Sequence, residues 1–431
     1  MEKSLRAPEK VLFLLCLMYF ITYVDRVNIG TAAPLIKNEF QLSNTQLGLI
    51  FSAFAYPYAI FQVMGGLVGD KFGARRTLFA CGLIWAAATI LTGFTGGIVS
   101  LFLARLLLGF GEGATFPVAT RAMQNWTPAA RRGFAQGITH SFARFGNAVT
   151  PPAVALLIAW SSWRGAFIIL GSISLIWVVA WFWYFRDNPR DHKAITAADL
   201  EKLPAYGGVG DGAAKRKIPW KRLTMRMLPV SITYFCYAWT LWLLLNWLPS
   251  FFKEGYQLDL KNSALFASGV FLAGVVGDTV GGVVSDRIFK ATGNLKLARL
   301  SVIVTGMLGA AACLLGVILG PKDVSTIALF LSGGFFFLEL VIGPIWSIPM
   351  DIAPQYSGTA SGLMNTGSAV AAIVSPLVFG AIVDLTGNWI LPFAVSIGLL
   401  LLGVGLAFTM HPERKFLDDE TPLAGVAVPA E

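Results

Sequence analysis

Apolar stretches long enough to cross a bilayer follow one another along most of this chain, separated by short polar turns. A helix needs about 20 apolar residues to span the hydrocarbon. Twelve stretches qualify: roughly 11–36, 46–69, 77–96, 98–126, 133–158 and 163–185, then 227–251, 262–285, 297–320, 324–350, 357–383 and 388–410. One long polar segment interrupts the series, residues 186–226, rich in Lys, Arg, Asp and Gly. The pattern predicts an all-α membrane protein of twelve transmembrane helices. It divides into an N-terminal six-helix bundle (1–185), a cytoplasmic linker (186–226) and a C-terminal six-helix bundle (227–431).

Composition agrees with that reading. The 431 residues are 55% hydrophobic and only 13% charged, against about 25% charged in a soluble domain. The formal net charge of +9 would suggest nucleic acid, but the basic residues are not spread evenly. Of the 33 Lys and Arg, 25 fall in segments on the side of the termini, five on the opposite side and three inside the spans. Basic loops face the cytoplasm, so both termini are expected there, in a multi-pass protein of the cell (inner) membrane. The same asymmetry accounts for the net charge without a nucleic-acid partner, and the linker reads as a solvated topogenic loop. The four cysteines, Cys16, Cys81, Cys236 and Cys313, lie in apolar runs without metal or disulfide spacing. The first apolar run is too long for the core of a signal peptide and has charges at its centre, so it is expected to be retained as a span.

The halves repeat one another. Gly66-x-x-x-Asp70-Lys71 ends the second span and Gly282-x-x-x-Asp286-Arg287 ends the eighth. Glu112 stands five residues before Pro117 in the fourth span, as Glu339 stands five before Pro344 in the tenth. Gly133, Gly137, His140 and Pro151 match Gly358, Gly362, Asn365 and Pro376 at a constant offset. Two six-span halves in parallel repeat, related by a pseudo-twofold axis, form a central cavity near the bilayer midplane.

Charged residues inside the spans are the candidate chemistry. Tyr23-Val24-Asp25-Arg26-Val27-Asn28 lies in the middle of the first span, where a carboxylate and a guanidinium cost about 3 kcal/mol each on insertion scales. Asp25 and Arg26 are adjacent and point about 100° apart; one is expected to face the cavity and the other the fourth span. Arg105 and Glu112 are seven apart and share a face of the fourth span, as His140 and Arg144, four apart, do on the fifth. Arg144 could supply a second cation for a dicarboxylate, or pair with a cavity carboxylate. Asp278 and Glu339 lie well inside the eighth and tenth spans, where either could protonate or neutralise Arg144. An ion pair that only ties helices together would place the same residue types at the same depth. A buried carboxylate resists ionisation and a neighbouring guanidinium restores it. A carboxylate whose arginine is alternately free and substrate-bound would therefore take up and release a proton.

The loop after the second span, Gly66-Leu-Val-Gly-Asp70-Lys71-Phe-Gly73-Ala-Arg75-Arg76, resembles the signature of the major facilitator superfamily. Its second copy, at Asp286-Arg287, is cut short before the arginine pair. The resemblance implies a gate, with Gly66, Asp70, Gly73, Arg75, Arg76, Asp286 and Arg287 as structural and gating residues. Within the superfamily the chain is similar to the anion:cation symporters, which include carriers of hexonates, hexuronates and aldarates. The similarity rests on Tyr23-Val-Asp25-Arg26-Val-Asn28, on Arg105-Leu-Leu-Leu-Gly-Phe-Gly-Glu112-Gly, and on Trp346-x-x-x-x-Asp351-Ile-Ala-Pro354 with Asn365. It implies that Asp25 and Glu112 exchange protons and that Arg26 binds the substrate carboxylate, which a guanidinium can hold by two parallel bonds. Arg105 is then a second candidate, and Tyr58, Trp346 and Asn365 match residues that line the sugar-acid site. His140 and Arg144 join the substrate-binding candidates, with Tyr237, Trp239 and Trp242 as weaker ones. Arg144 departs from the family pattern, which has small or polar residues there.

The function expected from these residues is proton-coupled uptake of an organic anion, a sugar acid first, by alternating access. The implied partners are the anion, protons and the lipid bilayer; a monomer suffices. A carrier of tartrate, an aromatic acid or a dicarboxylate is the alternative. An organophosphate exchanger would carry an arginine in the seventh span, which has no basic residue between Met227 and Phe251, and the fifth span lacks the Gly-x-x-x-Gly-Pro of drug antiporters. A non-transporting nutrient sensor would usually append a signalling tail. No metal cluster, nucleophile elbow or phosphate loop suggests an enzyme or a cofactor.

Overall fold

Prolines set where several spans break. In the computed structural model, which describes residues 6–128, 132–204, 219–353 and 357–416, the first span is α1 (Ala7–Phe40). The second is split into α2 (Asn44–Ala53) and α3 (Ala55–Phe72). Proline cannot donate to the carbonyl four residues back, and α2 ends at that residue relative to Pro57. The fourth span breaks in the same way relative to Pro117, into α5 (Ile98–Gly113) and α6 (Thr115–Trp126), after the third span, α4 (Ala74–Thr92). Then come α7 (Arg132–Trp160), α8 (Trp163–Tyr184), the short α9 (Ala197–Lys202) and α10 (Trp220–Ser250), extended by a π-turn over Phe251–Gly255. The second half continues with α11 (Leu260–Thr292) and α12 (Leu295–Leu319). Its fourth span breaks ahead of Pro344 into α13 (Val324–Glu339) and α14 (Ile342–Ile352), before α15 (Ser357–Thr386) and α16 (Pro392–Ala407).

These are twelve spans in two bundles. Ten are long and apolar enough to cross a membrane by length and composition among the described residues. The other two are the broken α2–α3 span, which carries the polar loop motif, and α16, whose 16 residues reach about 24 Å. The seventh span's helix starts at Trp220 rather than at 227, and the first residues of the linker, Arg186 and Asp187, dock onto the N-terminal bundle. The Trp126 indole donates to the Arg186 carbonyl at 2.8 Å, and the Arg75 backbone N–H to Asp187 Oδ1 at 3.1 Å. Burial pushes the Asp187 carboxyl above its usual range, while the backbone N–H groups of Arg75 and Ala74 pull it back. Gly73 makes that docking possible: its φ is +80°, and a Cβ there would lie 2.7 Å from Asp187 Oδ2.

The halves are sealed together on the side away from the termini. There Asp384 of α15 caps the start of α2, accepting from the backbone N–H groups of Asn44 (2.9 Å) and Thr45 (2.7 Å) and from the Thr45 hydroxyl (2.6 Å). A carboxylate is favoured at a helix N-terminus. Lys37 pairs with Glu254 at 2.5 Å, and Ser268 on α11 donates to the Ala148 carbonyl of α7. Gly48 brings α2 onto α15 so closely that a Cβ would sit 2.4 Å from the Pro376 carbonyl. One apolar core joins both halves here, with Ile36, Ile50 and Phe51 packed among Trp247 and Phe379. Toward the termini the N-terminal half keeps its own core, from Val11 and Tyr19 to Trp126 and Trp181.

Candidate functional site

Two buried arginine–carboxylate sites occupy the middle of the molecule. The first is assembled inside the N-terminal half. Arg26 on α1 donates through Nε to Glu112 Oε2 at 2.6 Å, and Glu112 is 0% exposed. Four rings surround the guanidinium: Tyr58 at 4.7 Å, Tyr23 and Phe116 at 4.9 Å and Phe54 at 5.1 Å from its central carbon. Aromatic faces favour a desolvated cation. Arg26 Nη2 and Glu112 Oε1 nonetheless have no hydrogen-bond partner among the described residues, unusual for buried charged atoms.

Asp25 turns the other way, as its position next to Arg26 demands. Its Oδ2 accepts from the Ser174 hydroxyl of α8 at 2.9 Å, and its backbone carbonyl accepts from Arg105 Nη1 at 3.3 Å. Arg26 therefore meets the fourth span, while Asp25 faces the sixth span and is 1% exposed. The expectation left open which of the two faces the cavity and which the fourth span; the Asp25 carboxyl meets α8, which packs beside α1 and offers the hydroxyl. Arg105 and Glu112 share a face of α5 yet engage different residues of α1. Asp25 Oδ1 and Arg105 Nε are also without hydrogen-bond partners among the described residues.

The second site crosses between the halves. Arg144 on α7 places Nε 3.3 Å from Asp278 Oδ2 on α11 and Nη2 3.2 Å from Glu339 Oε2 at the end of α13. Its central carbon is 6.0 Å from the Tyr23 ring. Tyr237 on α10 neighbours Glu339. Repeat-related Glu112 and Glu339 thus both sit at the break of the fourth span of their half, each with an arginine from the N-terminal half. His140, one turn from Arg144, packs edge-on against Tyr19 with ring centroids 5.4 Å apart, yet it is exposed. Since Arg144 on the same face points at the other half, that exposure is to the space between halves.

The C-terminal half closes over the first site. Trp242 packs its ring 6.3 Å from Phe54, and its indole donates to the Ser368 hydroxyl. The Asn365 amide donates to Gln62 at 2.6 Å, one turn from Tyr58 on α3. The Trp346 indole donates to the Tyr234 hydroxyl at 3.0 Å, and Tyr234 stacks on Tyr237. Trp239 is buried with its indole nitrogen unpartnered.

The loop motif lies apart from both sites. The Arg75 side chain donates to the Phe182 carbonyl at the end of α8 at 2.7 and 3.0 Å and stacks on the Phe182 ring, so its partners are in its own half. Arg76 is exposed. The side chain of Asp70 and the surroundings of Gly66, Gly133 and Gly358 lie outside the described residues, as does the whole of Pro354. In the second copy Arg287 is exposed, and Asp286 pairs with Arg299 at 3.2 Å. Arg299 also reaches Asp351 at 3.0 Å. It stands at the start of the ninth span, as Arg75 and Arg76 do at the third, and that correspondence was the signal by which it could have been found. Phe54, Phe116, Gln62, Ser174 and Tyr234 were also missed; aromatic and polar residues are too common in spans to single them out.

Two six-helix bundles meeting around buried charges at mid-depth define an alternating-access membrane carrier. The chain belongs to the Major Facilitator Superfamily, whose sequence profile matches residues 15–376. It is therefore a transporter rather than an enzyme. A probable sulfoacetate transporter of Cupriavidus necator is 49% identical over 96% of each chain. The hexuronate transporter of Bacillus subtilis is 30% identical over 90% of this chain and 91% of its own length, and a D-galactonate transporter of Escherichia coli 30% identical over 94% and 96%. Among solved structures, a bacterial homolog of the human lysosomal transporter Spinster, inward-facing and unoccupied, superposes with a TM-score of 0.75 at 16% identity, over 94% of this chain and 97% of its own.

Proposed function

We propose that this chain is a proton-coupled symporter that brings a small organic anion into the cell across the inner membrane, with both termini in the cytoplasm. Sugar acids were the first expectation. The 49% identity to a probable sulfoacetate transporter puts that shorter anion beside them. The observation that carries the reading is the Arg26–Glu112 pair: one charged hydrogen bond in a cage of four rings, with a donor on one partner and an acceptor on the other left open.

The geometry supports an exchange. An anionic group entering the cage meets Arg26 through the free Nη2 and competes with Glu112 for the guanidinium. Glu112, left without its counter-charge in a site shielded from water, takes a proton. Asp25 on α1, held by Ser174 and close to Arg105, is the relay for that proton. When the anion leaves, Arg26 recovers Glu112 and expels the proton. With the far side sealed by Asp384 and the apolar contacts around Trp247, release toward the termini is the step this conformation serves.

The test is uptake by the purified protein in vesicles, with labelled sulfoacetate and D-galactonate as probes and an imposed inward proton gradient. Accumulation above the outside concentration that collapses with a protonophore is expected for at least one probe. Uptake that only equilibrates, whatever the gradient, would refute proton coupling.

A further inference from the structure

Arg144 has features that a structural ion pair does not need. Its partners, Asp278 and Glu339, both come from the opposite half. Among the described residues neither Glu339 oxygen has a well-aligned hydrogen bond, with Arg144 Nη2 at 3.2 Å and Tyr237 its neighbours, although the side chain is 0% exposed. A buried ion pair that merely ties helices together is stable only when its remaining lone pairs are satisfied. Two carboxylates against one guanidinium also leave a surplus acidic group, with Glu339 buried and Asp278 partly exposed. Finally, Arg144 and Arg26 face the same ring: their central carbons lie 6.0 and 4.9 Å from the centroid of Tyr23.

We propose that Arg144 is a second anion-binding pole of the transport site, which makes a short dianion, with one acidic end on Arg26 and the other on Arg144, the preferred substrate class. The inference rests on the transport reading above and extends it. A dianion short enough to lie along Tyr23 satisfies both guanidiniums at once, and a monoanion leaves one of them with its protein carboxylates. The second acidic end displaces Glu339 from Arg144 as the first displaces Glu112 from Arg26. Glu339 then faces Asp278 from α11 and Tyr237 from α10 without its cation, and takes a proton. His140, one turn away on α7 and exposed to the space between the halves, lies beside Arg144 on that space. Every dianion carried therefore brings one more proton than a monoanion does, and the charge added to the buried site is compensated at each pole.

The experiment measures binding to the purified full-length chain in detergent, using two matched pairs: sulfoacetate against sulfoacetamide, and galactarate against D-galactonate. The dianion should bind at least tenfold more tightly than its monoanionic counterpart in one pair or both. Arg144→Gln should lower dianion affinity at least tenfold and monoanion affinity far less, so that the preference collapses. Because that change leaves two acids facing each other, the variant Arg144→Gln/Asp278→Asn/Glu339→Gln, neutral throughout, should show the same collapse. Glu339→Gln alone keeps the Arg144–Asp278 pair and should lower proton uptake per bound dianion by about one. Equal or stronger monoanion binding in both pairs would overturn the second pole while leaving anion transport intact. Equal loss of both members of a pair in the Arg144 variants, or unchanged proton uptake in Glu339→Gln, would do the same. Failure of all four probes to bind would instead remove the transport reading on which the inference rests.

Discussion

The two glutamates that mark the break of the fourth span in each half, Glu112 and Glu339, sit in unlike surroundings. Glu112 is bonded to Arg26 within one bundle and lies under an aromatic cage. Glu339 meets Arg144 across the interface, shares it with Asp278, and has no well-aligned hydrogen bond on either oxygen among the described residues. A pair inside one rigid bundle survives the rocking of the halves and breaks only when something competes for its arginine. A pair across the interface feels every change in the angle between bundles. The repeat therefore preserved the position of a carboxylate and set it in two different contacts, one within a bundle and one across the interface.

The strongest way to separate the two is Glu112→Gln. Gradient-driven uptake should fall at least a hundredfold while counterflow exchange of the anion persists, because glutamine can still pair with Arg26 but cannot carry a proton. Equal loss of both activities would make Glu112 structural. Arg26→Lys should come next: a point charge replaces a planar fork, and anion affinity should fall about tenfold, roughly 1.4 kcal/mol, measured by titration calorimetry. Unchanged affinity would move the first anion contact to Arg105 or Arg144.

The interface can be perturbed without touching either arginine. Asp384→Asn removes the charge that caps α2 and should loosen the far-side seal by about 1 kcal/mol. Thiol labelling of Thr31→Cys, at a position now 0% exposed, should speed up severalfold. The Arg144–Glu339 contact should weaken with it and the Arg26–Glu112 pair should not, so proton uptake at Glu339 should change more than at Glu112. The smallest effect is expected from Arg299→Gln, which leaves Asp351 without its cation near the terminal side. The melting temperature should drop by a few degrees with anion affinity unaltered; a change in affinity would tie that network to the central sites.

The spans, the repeat and the repeat-related glutamates were legible in the sequence, because apolar run length and proline spacing act locally along one helix. Pro57 and Pro117 each release the carbonyl four residues back, and the helices end where that arithmetic says. What each charged side chain faces was not legible. The 100° between Asp25 and Arg26 follows from helix geometry, but that Asp25 meets Ser174 on α8 depends on which helices flank α1, and spacing carries no such information. The Arg144 triad was open for the same reason: its acids lie on α11 and α13, 134 and 195 positions away, and meet it in this arrangement of the halves. The docking of the linker's first residues was not legible because Asp187 is held by the backbone at the start of α4, and a polar segment looks solvated when its partner is a helix end rather than a side chain.

The most direct measurement is the proton itself. Sulfoacetate or D-galactonate is added to concentrated, weakly buffered protein in detergent and the pH of the solution is followed. The exchange at Arg26 requires alkalinisation as Glu112 takes up a proton, in proportion to bound anion and absent in Glu112→Gln. Binding with no change in pH, or the same change in Glu112→Gln, would contradict it.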